Sequence, residues 1–323
     1  MNITINDKKP VIAIDLGGTK IMTALFNATG KLVDRDVCPT LAANGYKDVI
    51  DRMGQNVQEL LKRNNLKPEQ TGAITIAAAG GIDTGRGVAV TPSPHLPDWK
   101  DIPIAAMFKD RFGIDTYVLN DASAAALGVH RYGTGKGVKH LVLLTLGTGI
   151  GGGIIIDGEW YLGASGGAGE LGHMTVEARG PKCGCGNTGC LEMYASSRGI
   201  VMTFGEIWSQ QDAAAPLRTG ITSEQVYQAA RSGEPIAVRA MQDMGRSLGI
   251  GIANLINIFN PEMVVIGGGV RDAWDLFIDA TRDEIRRRAF EYPAERTKIL
   301  PSVLGDDAGM VGAAAVALQK IEA

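Results

Sequence analysis

Two copies of one pattern, about half a chain apart, restrict the folds open to this sequence. The first copy is the apolar strand Val11–Asp15, then Leu16-Gly17-Gly18-Thr19-Lys20, then a second apolar strand, IMTALF. The second copy is LVLLTL, then Gly147-Thr148-Gly149, then another apolar run. Aligning Asp15 with Thr145 superposes the two glycine turns and predicts two related domains that face a cleft. Each turn can bring backbone N–H groups close to phosphate oxygens. Neither copy is a Walker loop, because each strand leads into a strand and not into a helix.

Three closely spaced cysteines form the most specific motif. Cys183, Cys185 and Cys190 have the spacing C-x-C-x4-C, and His173 precedes Cys183 with nine residues between them. Three cysteines and a histidine are a common ligand set of tetrahedral zinc, and glycines between the cysteines allow a tight knuckle. A disulfide fits poorly, because the chain has only four cysteines and an enzyme-like length. Four protein ligands leave no position for water, so the sequence predicts a structural Zn²⁺ site.

Length and charge narrow the classes of protein that remain. A chain of 323 residues suggests two domains. The net charge of −3 and the aromatic content of 6% offer neither a basic nor a stacking surface for nucleic acid. The opening residues lack the apolar core of a secretory signal, and the apolar runs are shorter than a membrane span. We therefore expect a cytoplasmic protein that binds neither nucleic acid nor a membrane.

Two further segments follow predicted strands. Asn120-Asp121 lies between the strand Asp115–Leu119 and an alanine-rich helix, at the kind of strand end where ligand sites gather. Asp121 is interpreted either as the N-cap of that helix or as a proton acceptor, and the two roles can coexist. Gly267-Gly268-Gly269 follows the strand Met263–Ile266 and is either a purine contact or a tight strand-to-helix connection. The predicted helices include Tyr46–Arg63, Met193–Phe204, Ala237–Phe259 and a small-residue helix at the end of the chain.

Together these motifs resemble the ROK family, which contains bacterial glucokinases, other sugar kinases and sugar-responsive repressors. The resemblance extends from Ile12 to the last helix. It is carried by Asp15–Lys20, Asn120–Ala122, Gly147–Gly153, Gly169–His173 and Cys183–Glu192. It implies an α/β protein with the two-domain actin/hexokinase-like ATPase fold, built from duplicated ribonuclease H-like domains, with a structural zinc knuckle. The smaller domain would comprise residues 1–119 and 306–323, and the larger one residues 120–305.

The resemblance also implies a role for each motif in a hexose kinase. Asp15 would help to position Mg²⁺ bound with ATP, and Asp121 would be the catalytic general base. His173 would bind zinc through one ring nitrogen and face the sugar with the other. The zinc ligands would be His173, Cys183, Cys185 and Cys190. The nucleotide would be held by Asp15, Gly17, Gly18, Thr19, Lys20, Thr145, Gly147, Thr148, Gly149, Gly267, Gly268 and Gly269. The sugar would be bound by Gly80, Asn120, Asp121, Glu170, His173 and Glu192.

One departure from the family leaves the sugar open. The family's glucokinases carry a segment similar to Asn-Leu-Pro-Gly-Trp, and this chain has His95-Leu96-Pro97-Asp98-Trp99. Glucose is the expected substrate, and mannose, fructose, allose and the N-acetylhexosamines are alternatives. ATP is the expected donor, with polyphosphate as an alternative.

Other classes of protein fit the sequence less well. A repressor of the same family would need a DNA-binding domain before Val11, and the ten residues there are too few for one. The remaining alternatives are a zinc-knuckle nucleic-acid binder, a phosphohydrolase and a carbohydrate-binding protein without transfer activity. A homodimer is expected, because members of the family are commonly dimeric.

Overall fold

The computed structural model describes residues 9–91, 96, 98–211 and 220–322. The strands are β1 (Val11–Leu16), β2 (Lys20–Phe26), β3 (Leu32–Pro39), β4 (Ile74–Ala78), β5 (Gly81–Asp83), β6 (Val88–Thr91), β7 (Thr116–Asn120), β8 (Leu141–Leu146), β9 (Ile150–Ile156), β10 (Glu159–Trp160), β11 (Met263–Gly267) and β12 (Lys298–Pro301). The α-helices are α1 (Tyr46–Arg63), α2 (Ile104–Phe112), α3 (Asp121–Tyr132), α4 (Glu192–Ala195), α5 (Ser197–Gln211), α6 (Ser223–Arg231), α7 (Pro235–Phe259), α8 (Trp274–Arg288), α9 (Glu291–Arg296) and α10 (Ala308–Glu322). Short 3-10 turns lie at Ala42–Asn44, Pro68–Gln70, Leu171–His173, Gly269–Ala273 and Gly305–Asp307.

The described residues fall into two compact units. The first draws on the described residues within 9–136, 160–168 and 307–322, and the second on those within 137–159 and 169–306. Each unit has its own apolar core, one around β1, β4 and α1 and the other around β8, β11 and α7. The domain bounds expected from the resemblance stay a prediction.

The two five-stranded sheets have the same topology. The first has the order β3-β2-β1-β4-β7, and the second has the order β10-β9-β8-β11-β12. In each, an antiparallel hairpin is joined to two parallel strands. The central strands β1 and β8 also share one burial pattern, in which every residue is buried except Asp15 in one and Thr145 in the other. The internal repeat predicted from the glycine turns is therefore confirmed, and its alignment pairs these two residues.

Small residues let α10 lie directly against α3 in the first unit. A Cβ added at Gly312 would lie 1.7 Å from the carbonyl oxygen of Ala124, and one at Gly128 would lie 2.3 Å from that of Ala308. Such distances exclude any side chain at both positions, so the small residues of the last helix allow it to pack closely against α3. A Cβ at Gly309 would lie 3.4 Å from the Asp15 carboxylate, which places the first turn of α10 beside the end of β1.

The long helix α7 forms the centre of the second unit. Its interior face is apolar at Met241, Met244, Leu248 and Ile252, all of which are fully or almost fully buried. The helix begins at Pro235, two residues before the predicted start, because the Glu234 side chain accepts hydrogen bonds from the first free N–H groups. An acceptor at this position satisfies donors that the helix itself cannot pair. Among the described residues, no helix has the length and apolarity needed to cross a bilayer.

Candidate active site and metal centre

Three parallel strands of the first sheet end side by side and carry predicted site residues at that edge. In the strand register Asp15 lies opposite Ala77, and Ala78 lies opposite Asn120. Gly80 follows β4 with a backbone φ of +97°, a conformation that favours glycine. Its carbonyl oxygen accepts a hydrogen bond of 3.1 Å from the Asn120 side chain. The carboxyl ends of β1, β4 and β7 thus gather Asp15, Gly80 and Asn120 at one edge of the sheet, where ligands bind in α/β proteins.

Asn120, and not Asp121, is the N-cap of α3. Its Oδ1 accepts hydrogen bonds from the backbone N–H groups of Ala122 and Ser123, at 3.0 and 3.1 Å. Asp121 is the first residue of the helix, and its Oδ1 accepts from the N–H of Ala122 at 2.8 Å. The interpretation of Asp121 as the cap is therefore wrong, because the preceding amide already fills that position. A partly buried carboxylate remains at the positive end of the α3 dipole, which stabilises its ionised form.

The first glycine turn joins β1 to β2 and is held from the edge strand. Within the turn, the N–H of Gly17 donates to the carbonyl oxygen of Lys20 at 3.0 Å. The buried Thr40 donates its hydroxyl to the carbonyl oxygen of Gly17 at 2.7 Å and its backbone N–H to that of Thr19 at 2.9 Å. Gly18 lies within the turn, and Thr19 and Lys20 are exposed. The contribution of Thr40 was not found from the sequence, because a threonine 23 residues after Gly17 carries no local signal for it.

The second glycine turn joins β8 to β9 in the same way. The N–H of Gly147 donates to the carbonyl oxygen of Gly149 at 2.9 Å, and the carbonyl oxygen of Gly147 accepts from the N–H of Ser197 at 2.8 Å. Thr145 precedes the turn and Thr148 is exposed within it. The carbonyl groups of Gly17 and Gly147, which the repeat aligns, are thus both held by a residue outside the turn.

The bond from Ser197 explains why the predicted helix Met193–Phe204 is interrupted. Ser196 adopts an extended conformation between α4 and α5, and its hydroxyl accepts from the N–H of Gly199 at 3.1 Å. A serine in this position caps a new helix, and the N–H of Ser197 is released to bind the glycine turn. The prediction of one continuous helix is therefore wrong.

Gly267, Gly268 and Gly269 follow β11, next to the end of β8. Gly267 lies opposite Thr145 in the parallel register. Gly268 has a φ of +80°, and a Cβ there would lie 2.3 Å from the carbonyl oxygen of Leu146. Among the residues that the structure describes, none has an atom within 4 Å of a Cβ added at Gly269, so this face is a candidate ligand surface. The positive φ of Gly268 and the nearby carbonyl group explain this glycine as part of a tight connection. The open face at Gly269 suits a planar ring.

His173, Cys183, Cys185 and Cys190 form one cluster. Their potential ligand atoms all lie within 4.8 Å of one another. Cys183 Sγ is 3.6 Å from His173 Nδ1, and the sulfur atoms of Cys185 and Cys190 are 3.7 Å apart. Zinc bonds of about 2.3 Å to sulfur and about 2.0 Å to nitrogen place tetrahedral ligand atoms about 3.5–3.8 Å apart. The cluster therefore has the dimensions of a zinc knuckle with four protein ligands.

Burial opposes ionisation of two of the three thiols in the cluster. Cys190 is fully buried, and burial raises its pKa to about 12. Burial also raises the pKa of Cys183, whereas the backbone N–H of Asn187 lowers that of Cys185. Three adjacent thiolates are stable only when a metal ion offsets their charge. Zn²⁺ bound here would supply that charge and hold the loop together, and with four protein ligands it keeps no open position for chemistry.

Asn187 supports the cluster and was not predicted as part of it. Its side-chain amide lies 3.3 Å from the carbonyl oxygen of His173 and 3.0 Å from the hydroxyl of Thr175. The same nitrogen is 3.4 Å from Cys190 Sγ. The Asn187 amide thus ties the histidine segment to the cysteine loop. The Gly-Asn-Thr-Gly sequence inside the knuckle is the signal that could have indicated it.

The two ring nitrogens of His173 face different groups. Nδ1 faces Cys183, and Nε2 lies 4.0 Å from the Glu170 carboxylate, which is largely exposed. Ligation of Nδ1 fixes the ring and leaves Nε2 available for a second partner. Glu192 is partly buried: its Oε2 accepts from the N–H of Ile150 at 2.9 Å, and its Oε1 is 3.7 Å from Cys183 Sγ. In the second unit the structure therefore brings Glu170, His173 and Glu192 together at the knuckle.

The predicted site residues separate into two groups, each inside one compact unit. Those in the first unit are Asp15, Gly17, Gly18, Thr19, Lys20, Gly80, Asn120 and Asp121. Those in the second are Thr145, Gly147, Thr148, Gly149, Glu170, His173, Cys183, Cys185, Cys190, Glu192, Gly267, Gly268 and Gly269. His95 and Pro97, in the segment expected to select the sugar, lie outside the described residues.

Comparison with known proteins agrees with this geometry. The ROK family model matches residues 11–320. A glucokinase of Thermotoga maritima is 34% identical over 319 residues, which cover 97% of this chain and 99% of that protein. A putative xylose repressor of Caldicellulosiruptor sp. is 34% identical over 319 residues, which cover 95% of this chain and 78% of that protein.

The solved structures give the same result. A ROK family glucokinase from Streptomyces griseus, in complex with glucose and AMPPNP, is similar with a TM-score of 0.80 and 33% identity. The match covers 96% of this chain and 99% of that one. The fold is accordingly the α/β actin/hexokinase-like ATPase fold with a zinc knuckle, as expected. The chain belongs to the ROK family.

Proposed function

We propose that this protein is a sugar kinase that transfers the γ-phosphoryl group of ATP to a hexose, with glucose as the preferred substrate and glucose 6-phosphate as the product. The proposal is supported by the similarity to glucokinases over nearly the whole chain. It is also supported by the chemistry at the start of α3. Asn120 makes the N-cap bonds, so the helix does not need Asp121 as its cap, and a carboxylate stands there as a candidate base. This is the observation that carries the proposal.

The proposed reaction transfers one proton to the protein and one phosphoryl group to the sugar. Asp121 accepts the proton of the sugar hydroxyl as its oxygen attacks the γ-phosphorus. The new P–O bond forms while the bond from the γ-phosphorus to the bridging oxygen breaks, and ADP leaves with that electron pair. The transition state of such a transfer is loose, so positioning and charge neutralisation contribute more than the strength of the base.

The two glycine turns and the polar side chains have separate tasks in this proposal. The backbone N–H groups of the turns and the ammonium group of Lys20 offset the phosphate charge. Mg²⁺, which Asp15 helps to hold, neutralises charge on the phosphate oxygens when it is bound with ATP. Gly267–Gly269 border the adenosine. The sugar hydroxyls are bound by Gly80, Asn120, Asp121, Glu170, His173 and Glu192.

Zinc has a structural task in the same proposal. It fixes the orientation of His173, so that Nε2 is held toward the sugar without participating in the phosphoryl transfer. The protein is further proposed to act as a homodimer in the cytoplasm. Its domains are proposed to be residues 1–119 with 306–323, and residues 120–305.

A sugar panel tests the function. Zinc-replete protein is mixed with Mg·ATP and with glucose, mannose, fructose, allose, N-acetylglucosamine or N-acetylmannosamine, and ADP release is followed in a coupled assay. We expect the highest kcat/KM with glucose. A preference for an N-acetylhexosamine would overturn the sugar assignment and retain the kinase. The absence of turnover with every sugar would overturn the kinase, and a sugar-sensing role, as in the relatives named xylose repressors, would take its place.

A further inference from the structure

We propose that Glu192 is a positioning residue for the second glycine turn, and that nucleotide binding depends on it. The proposed function gives Glu192 a role at the sugar only. The hydrogen bonds of its carboxylate connect it instead to the turn between β8 and β9. The nucleotide consequence rests on the proposed function, whereas the effect on the turn itself does not.

Two bonds bracket the second turn and come from one short segment. The N–H of Ile150, directly after the turn, donates to Glu192 Oε2 at 2.9 Å. The carbonyl oxygen of Gly147, at the start of the turn, accepts from the N–H of Ser197 at 2.8 Å. Glu192 and Ser197 are the first residues of α4 and α5. Because this segment holds both ends of the turn, the conformation of the turn depends on the position of α4 and α5.

The space beside Gly149 shows that the turn is fitted to this carboxylate. A Cβ at Gly149 would lie 2.3 Å from Glu192 Oε2 and 3.2 Å from the carboxyl carbon. A real Cβ does not approach an oxygen so closely, so one of the two groups would have to move. Ile150 is 4% exposed, and a buried N–H that loses its acceptor is costly. A glycine is therefore needed at position 149 for the contact with Glu192, as well as for any close approach of phosphate.

The carboxylate and the backbone of Glu192 also lie beside the zinc knuckle. Its Oε1 is 3.7 Å from Cys183 Sγ, and the next residue back, Leu191, is fully buried and donates its N–H to the carbonyl oxygen of Met174. The histidine segment packs on the same turn, since a Cβ at Gly172 would lie 2.1 Å from the carbonyl oxygen of Ile150. The knuckle therefore contacts the second turn through its histidine segment and through Glu192.

At both turns the aligned carbonyl group is held by a neutral donor, the hydroxyl of Thr40 for Gly17 and the backbone N–H of Ser197 for Gly147. The second turn has a carboxylate as acceptor for its last N–H, and hydrogen bonds to charged acceptors are the stronger ones. Glutamine at position 192 would keep an oxygen acceptor without the charge, whereas alanine would remove the acceptor. These two substitutions separate positioning of the turn from a purely electrostatic effect.

The test compares Glu192→Ala and Glu192→Gln with the wild-type protein. The first readout is amide hydrogen exchange of the segment 141–156, which requires no ligand. The second is the affinity for Mg·AMPPNP without sugar, and the third is the affinity for glucose without nucleotide. Glu177→Ala is the matched control, because Glu177 is an exposed carboxylate of the same knuckle whose side chain accepts from Arg179. The zinc content of each variant shows whether the knuckle remains intact.

We expect Glu192→Ala to exchange faster at residues 147–150 and to bind Mg·AMPPNP about tenfold more weakly, the factor that corresponds to about 1.4 kcal/mol. Glu192→Gln should recover most of the protection and affinity, and Glu177→Ala should leave both unchanged. Loss of glucose affinity alone, with wild-type exchange and wild-type nucleotide affinity, would overturn the proposal. If the wild-type protein binds no nucleotide, the proposed function fails, and the exchange rates alone decide whether Glu192 positions the turn. If Glu192→Ala does not fold, Glu192→Asp provides the same comparison, because its shorter side chain withdraws the carboxylate from the N–H of Ile150.

Discussion

Substitution of Asp121 should lower turnover with little effect on stability, whereas substitution of its neighbour Asn120 should lower stability. Asp121→Asn keeps the size of the side chain and removes its capacity to take a proton. Because Asn120 makes the cap bonds at 3.0 and 3.1 Å, the free energy of unfolding should change little. Removal of a general base costs about 10²- to 10⁴-fold in kcat. Asp121→Asn should therefore lose at least about a hundredfold in turnover while Tm stays close to the wild-type value.

Asn120→Ala should instead lower stability. The substitution removes the acceptor for two N–H groups of α3 and the donor to the carbonyl oxygen of Gly80. Loss of a cap costs about 1 kcal/mol, which lowers Tm by about 2–4 °C for a domain of this size.

The assay for both variants is steady-state ADP release at saturating sugar and Mg·ATP, with thermal unfolding measured on the same preparations. Glucose binding measured by calorimetry shows whether Asp121→Asn keeps its substrate. A variant Asp121→Asn whose kcat remains within threefold of the wild-type value would refute the assignment of the base. A large drop in Tm for Asp121→Asn, with Asn120→Ala unaffected, would refute the assignment of the cap.

Three further outcomes follow from the contacts. Wild-type protein should contain about one zinc ion per chain by elemental analysis, and Cys190→Ala should lose it and unfold at lower temperature; zinc retention by that variant would contradict the ligand set. Hydrogen bonds from the backbone N–H groups of His140 and Lys139 lower the pKa of Glu262. Its stabilising contribution, about 1 kcal/mol because the side chain is exposed, is therefore complete above the ordinary carboxyl pKa and lost as the pH falls through the lowered value. Urea unfolding of Glu262→Ala should accordingly differ from wild type at pH 7, and the difference should shrink as the pH falls below the ordinary carboxyl pKa; a pH-independent difference would contradict this. Gly268→Ala should weaken Mg·AMPPNP binding, because its Cβ would collide with the carbonyl oxygen of Leu146 and displace the connection. Unchanged affinity would contradict this prediction.

Local patterns were enough to predict the internal repeat and the cluster of cysteines with His173. The glycine turns at Gly17 and Gly147 are bounded by apolar strands, and the matching sheet topologies confirm that they are equivalent. The spacing of the cysteines predicted the cluster, because ligands within one short loop need little tertiary structure to meet. A strand followed by a helix at Asn120-Asp121 was also predicted correctly, although Asn120, and not Asp121, is the N-cap of that helix.

Several features that were missed depend on bonds to distant segments. The break at Ser196 depends on a hydrogen bond from Ser197 to Gly147, fifty residues upstream along the chain. Thr40 supports the first turn through its position at the end of an edge strand. Neither contact has a local signal in the sequence, because each depends on how separate elements pack. The bond between Glu192 and Ile150 belongs to the same class.

The most direct measurement of the central claim is transfer of a labelled γ-phosphoryl group. Zinc-replete protein is incubated with [γ-³²P]ATP, Mg²⁺ and glucose, and the products are separated by chromatography, with Asp121→Asn in parallel. The account expects the label in a hexose phosphate, formed in equal amount to ADP, and a strongly reduced rate for the variant. Label that stays in ATP, or appears only as inorganic phosphate, would contradict the account.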